Sequence, residues 1–167
     1  MSKPDKKLFL LDAYALIFRA HFAFSKNPRI NSKGLNTGVM LGFTNAMLEV
    51  INKQQPTHIA VGFDTPRPTF RHEKFPEYKA HREATPEDIK LGVPYVRDII
   101  AGFNIPIIEK DGFEADDVIG TVAKQAAKQG FEVFMMTPDK DYAQLVKDKV
   151  ITKKEAIKHA EEPENFK

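Results

Sequence analysis

The chain of 167 residues contains no cysteine, which excludes disulfides and thiolate metal sites and fits a reducing compartment. No apolar run approaches the ~20 residues needed to span a bilayer. The start, Met1 to Lys7, leads into an apolar stretch that Asp12 breaks too early for a secretory signal. A cytoplasmic protein with no membrane partner is therefore expected. Charge of one sign is lacking as well. With 25 Lys+Arg against 23 Asp+Glu the net charge is +2, so any electrostatic argument rests on where the charges sit. There is no glycine-rich phosphate loop to support an NTPase, and no internal repeat or low-complexity segment. The five histidines, His21, His58, His72, His81 and His159, show no ligand spacing and are assigned no chemistry. What remains, 42% hydrophobic and 29% charged residues, is ordinary for one globular domain with a sizeable core.

Two kinds of segment alternate along the chain. Leu8 to Leu11 and His58 to Phe63 are short apolar runs, as expected for strands buried on both faces. Ile105 to Ile108 is a third, whose Pro106 suits an edge or a strand start, and Glu132 to Thr137 is a fourth. Between them, apolar residues recur at helical spacing from Thr37 to Lys53, from Val93 to a stop at Gly102, and from Val118 up to Gly130. This rhythm predicts an α/β fold, with a parallel-rich central sheet and helices on both faces. Two stretches break it. Thr65 to Pro86 carries four prolines and reads as a long insertion after the second strand, a length that in compact domains is usually functional. The tail from Lys147 to Lys167 is mixed in charge and poorly periodic.

The carboxylates fall at strand ends. Asp12 follows the first strand, Asp64 the second, and Asp139 the fourth by two residues; Glu114, Asp116 and Asp117 open a helix after the third. In a parallel sheet all strand C-termini share one edge, where ligand crevices form. Acids gathered there repel one another unless cations neutralise them. Hard oxygen donors without cysteine point to Mg²⁺, with Mn²⁺ able to substitute, rather than to zinc. Each acid also has a plainer use. Asp12 and Asp139 suit helix N-caps, Asp116 and Asp117 suit a helix N-terminal dipole, and Asp64 suits an Asx-turn. Three carboxylates within four residues, Glu114 to Asp117, exceed what a cap requires.

The insertion is basic and aromatic. Between Arg67 and Arg82, the basic residues Arg67, Arg71, Lys74, Lys79 and Arg82 are interleaved with Phe70, Phe75 and Tyr78, against only Glu73 and Glu77. Basic groups neutralise phosphates and aromatic faces stack on unpaired bases, so this mixture suits a single-strand surface beside Asp64. The alternative is a solvated loop whose aromatics tuck into the core. Arg19, after Asp12, suits a further phosphate contact or an ordinary surface position.

Several blocks resemble a known family in order and spacing. Leu11-Asp12-Ala13-Tyr14, Phe63-Asp64, Thr69-Phe70-Arg71, Tyr78-Lys79-Ala80-His81-Arg82, Glu114-Ala115-Asp116-Asp117-Val118-Ile119-Gly120-Thr121 and Asp139-Lys140-Asp141 are similar to the 5′ nuclease domain of bacterial DNA polymerase I. Phage 5′ exonucleases and flap endonucleases belong to the same family. The resemblance runs from about Lys7 to Val146 and implies a PIN-like domain over residues 1–146, with an arch formed by about 65–86. It implies metal ligation by Asp12, Asp64, Glu114, Asp116, Asp117, Asp139 and Asp141. It implies DNA contacts by Arg19, Arg71, Tyr78, Lys79 and Arg82, with Lys79 and Arg82 acting in catalysis. The implied activity is Mg²⁺-dependent cleavage of DNA at 5′ ends or flaps in replication and repair, with a polymerase domain as a partner.

Two departures from the family stand out. Pro138 replaces the family's glycine, and the Gly-Asp-x-x-Asp-Asn segment and helix-hairpin-helix are absent, residues 147–167 forming a charged tail instead. On this reading the chain is a fragment, a shortened product, or a protein whose partner supplies the rest. Three rival readings stay open: a chain that binds DNA without cutting it, a PIN-type ribonuclease, and another phosphate-handling hydrolase.

Overall fold

The computed structural model describes residues 6–81 and 83–137. Four strands, β1 (Lys7–Asp12), β2 (His58–Gly62), β3 (Ile107–Ile108) and β4 (Glu132–Met136), form one sheet in the order β3-β2-β1-β4. All three pairings are parallel, with Asp12 opposite Gly62 and Leu11 opposite Met136. Alternation along β1 divides the core. Phe9 and Leu11 join a cluster with residues of α1 (Ala13–Phe24), α2 (Gly38–Glu49) and α4 (Glu87–Gly102), while Leu8 and Leu10 join one with α5 (Ala115–Lys128). Helices therefore cover both faces, as the rhythm predicts.

Details differ where local chemistry intervenes. The helix expected to run to Lys53 leaves α geometry at Val50 for a π-helical turn, Val50–Gln54, and Gln55 closes it in the left-handed region at φ 46°. Helix α4 ends at Gly102 as expected, but the left-handed residue that follows it is Asn104, at φ 54°; asparagine tolerates that region better than most residues with a Cβ. Helix α4 starts at Glu87, six residues ahead of the apolar pattern, and accommodates Pro94. The third strand is cut to two residues at the sheet edge. Pro106 cannot donate to the ladder, yet its carbonyl still accepts Val61 N–H at 3.0 Å.

Helices α1 and α2 approach closely because Gly42 faces Ala20; a Cβ at Gly42 would lie 2.4 Å from that of Ala20. On the opposite face, a Cβ at Gly62 would lie 2.6 Å from Ile119. The first contact seats α2 on α1 and the second seats α5 on the sheet, and the N-termini of α1 and α5 lie at the edge where the acids gather. After β2 the chain leaves the sheet at Phe63 and forms a short helix α3 (Phe70–Lys74) and a series of turns before α4. The insertion expected as loop thus carries a helical turn at its base.

Candidate functional site

Strand order reverses direction at β1: the chain steps from β1 outward to β2 and β3, then crosses back to β4 on the other side. The resulting crevice lies beyond the carboxyl ends of β1 and β4. Asp12 sits there, bridging the two strands. Its Oδ1 accepts the Ala15 N–H at 3.1 Å and caps α1, and its Oδ2 accepts the Thr137 hydroxyl at 3.2 Å. Capping and a place in the acidic cluster are both realised by one side chain.

Asp64, two residues beyond β2, makes no Asx-turn; its Oδ1 accepts the N–H of Ala115, the first residue of α5, at 2.7 Å. One carboxylate therefore ties the end of β2 to the start of the helix that carries the other acids. Burial pushes the Asp12 carboxyl above its ordinary range, the bonds to Ala15 and Thr137 oppose that, and the charges of Asp64 and Asp116 add to it. Asp116 is raised too, by burial first and then by Glu114, Asp117 and Asp64. The charge of Asp64 thus reaches both Asp12 and Asp116, and none of the three has a cationic side chain as a hydrogen-bonding or ion-pair partner among the described residues. Beside Asp64, the Thr65 hydroxyl is buried without a hydrogen-bond partner.

The other two described acids are matched by the insertion. Asp117 accepts Arg71 Nη1 and Nη2 at 2.5 and 2.8 Å, a two-point pairing, and also accepts the Glu114 N–H at 3.1 Å. That pairing holds the Asp117 carboxyl below its ordinary range against the opposing effect of burial, and pushes the Arg71 guanidinium up. Glu114 is buried at 6% exposure, which makes pairing obligatory. Its Oε1 accepts Lys79 Nζ at 2.5 Å and its Oε2 accepts the Tyr78 hydroxyl at 3.2 Å, with Arg71 Nη1 3.8 Å away.

Further contacts fix the base of the insertion. Phe70 N–H donates to the Gly112 carbonyl at 3.0 Å, the Phe70 and Phe113 rings lie 5.7 Å apart, and Arg67 pairs with Asp111 at 3.0 Å. The aromatics divide. Phe70 packs on Phe113, Tyr78 turns to Glu114, and Phe75 stands 67% exposed.

Of the residues expected in the site, the structure brings together Asp12, Asp64, Glu114, Asp116, Asp117, Arg71, Tyr78 and Lys79. Arg19 is exposed on α1 with no partner among the described residues. Arg82, Asp139 and Asp141 lie outside the described residues, as does the tail 147–167. His72, assigned no chemistry, has a structural use: its Nδ1 accepts the Thr69 N–H at 3.1 Å, which places the ring proton on Nε2 and caps α3. The three-residue spacing of Thr69 and His72 carries that signal, although glutamate or glutamine is the usual partner. Arg97 was also missed. It lies 4.3 Å from the Phe63 ring centre and pairs with Glu109, linking α4 to the chain just beyond β3.

Among the described residues no three acidic or histidine side chains stand close enough to hold one metal ion together. The donor chemistry nonetheless suits a hard divalent cation. Asp12, Asp64 and Asp116 are oxygen donors whose mutual repulsion lacks a cation, with the orphaned Thr65 hydroxyl beside them. Glu114 and Asp117 differ, since both already hold basic side chains.

A parallel α/β sheet with acids at its carboxyl edge and a basic insertion over them defines a nuclease-like class. The chain belongs to the family of 5′-3′ exonuclease N-terminal resolvase-like domains, which it matches over residues 7–167. It is 40% identical over 153 residues to DNA polymerase I of Bacillus caldotenax, covering 89% of this chain and 17% of the relative. With DNA polymerase I of Bacillus subtilis (strain 168) it shares 41% identity over 145 residues, covering 86% of this chain and 16% of the relative. The chain thus spans about a sixth of the length of these relatives. Its fold is also that of the T5 5′-exonuclease with bound divalent zinc (TM-score 0.61, 20% identity, 84% of this chain and 52% of that one). The T5 flap endonuclease in a pseudo-enzyme–product complex with DNA and metal ions matches with a TM-score of 0.58 at 20% identity, over the same shares of the two chains.

Proposed function

We propose that this chain is the metal-binding portion of a Mg²⁺-dependent 5′ nuclease that hydrolyses phosphodiester bonds at 5′ ends or flaps of DNA. The observation that carries the reading is the placement of Asp12, Asp64 and Asp116 on separate elements at one sheet edge, none of them paired with a basic side chain among the described residues. Divalent cations bound among such carboxylates supply water activation and neutralisation of phosphate charge. Asp12, Asp64 and Asp116, joined by Glu114, Asp139 and Asp141, are the residues proposed to hold them, with Mn²⁺ as an effective substitute; Asp117, expected among them, already holds Arg71.

The remaining work falls to the chain's own basic groups. Lys79, with Arg82, offsets charge on the reacting phosphate, while Arg71 and Arg19 position the strand by its backbone. Tyr78 offers a ring face next to Lys79, whose Nζ lies 5.1 Å from the ring centre. The basic Tyr78 to Arg82 block favours a DNA strand end over the RNA substrate of a PIN-type ribonuclease. Replication and repair DNA is the natural substrate pool, and a polymerase domain such as its relatives carry is the natural partner.

Cleavage of a 5′-flap DNA with Mg²⁺ tests the assignment. Asp12→Ala and Asp116→Ala are expected to abolish product while circular dichroism stays unchanged. Retained Mg²⁺-dependent cleavage in either variant would refute the roles of these two carboxylates, and faster cleavage of an RNA flap would favour the ribonuclease reading.

A further inference from the structure

The five described acids divide into two groups. Asp12, Asp64 and Asp116 have no cationic partner among the described residues, whereas Glu114 and Asp117 are claimed by Lys79 and Arg71. An ammonium nitrogen 2.5 Å from Glu114 Oε1 occupies the position from which that oxygen would bind a hard cation. Both cannot bind the same lone pairs at once. The two basic side chains are also held differently. Arg71 is fixed by two parallel bonds, by the Phe70 ring 4.6 Å away, and by the main-chain bond from Phe70 to Gly112. Lys79 makes a single ion pair, with its ammonium 5.1 Å from the Tyr78 ring centre, and its backbone sits at φ 60°, a region costly for a residue with a Cβ. Arg71 is the more firmly held of the two.

We propose that Lys79 and a divalent cation are alternative occupants of Glu114. Lys79 neutralises the buried carboxylate until the cation arrives and is then released toward the phosphate, while Arg71–Asp117 remains as the strut on which the insertion stays anchored. Asp117 is on this account a positioning residue, not a ligand. The proposal rests on the reading that these acids bind divalent cations. Linkage makes it testable without DNA: if cation binding displaces Lys79, removing Lys79 strengthens cation binding.

Mn²⁺ binding by the full chain is measured by electron paramagnetic resonance for the wild type, Lys79→Met and Lys74→Met. Lys74 is exposed and makes no ion pair among the described residues, so its removal deletes the same charge without freeing an acid. Lys79→Met is expected to bind Mn²⁺ more tightly than Lys74→Met by about fivefold or more, the low end of ordinary coupling between linked sites. A second measurement needs no variant. Acylation of Lys79 in the wild type, followed by peptide mass spectrometry, is expected to accelerate several-fold on adding Mn²⁺, with Lys74 unchanged. Equal Mn²⁺ affinities for both variants, or an unaltered acylation rate at Lys79 under saturating Mn²⁺, would overturn the exchange. No saturable Mn²⁺ binding by any of the three proteins would overturn the cation-site reading itself, and the exchange with it.

Discussion

Asp116 is a carboxylate held where its charge is costly, half-buried and facing three other acids. Its folded pKa lies above the unfolded value, so the native state binds its proton more tightly. Its contribution to stability is therefore complete below the unfolded pKa and is lost as pH rises through the folded one. Above the folded pKa, in EDTA, that contribution is gone. Asp116→Asn is expected to raise the melting temperature there, and its advantage over the wild type is expected to shrink as the buffer is taken toward pH 3. A variant less stable than the wild type at pH 7 would contradict this reading. Individual acids were legible because each follows a strand end or opens a helix. The pairing of Arg71 with Asp117 was not, since the two lie 46 positions apart and only the folded insertion brings them together. Asp12 is the helix cap that the plainer reading offered, and its second oxygen accepts from Thr137 across the strand ends.

Elements were read from periodicity, and the failures have local causes. The four strands emerged as apolar runs because both sheet faces are covered, so no polar alternation interrupts them. The end of α2 was misplaced because hydrophobic spacing does not register a π-helical turn, and the start of α4 because its first turn buries little. Helix α3 escaped notice because five residues without a buried side chain give no periodic signal.

At this scale the contact between β2 and α5 makes a sharp prediction. Ile119 is 1% exposed and cannot yield to a methyl group at Gly62. Gly62→Ala is expected to cost about 1–3 kcal/mol in urea unfolding, the range for an overpacked core. In an Ile119→Ala background the same change is expected to cost clearly less, because the two sites share one space. Additive costs would show that the strand and helix do not meet there.

Among the described residues the molecule is a parallel sheet whose carboxyl edge gathers acids from three connections, with an insertion pinned beside them by its own basic residues. The fold class, the direction of the sheet and the face that carries the site were all implied by strands alternating with helices, through the rule that such strands end on one side. Which acids pair with the insertion and which do not was not implied, because burial and the folded path of the insertion decide it. The central claim is that this edge performs metal-dependent hydrolysis at a DNA 5′ end. The most direct measurement is cleavage of a flap DNA labelled at its 5′ end, and of the same DNA labelled at its 3′ end, by the chain in Mg²⁺ and in EDTA. Short 5′-labelled products formed only with Mg²⁺ are expected. No cleavage with Mg²⁺, equal cleavage in EDTA, or degradation beginning at the 3′ end would contradict the account.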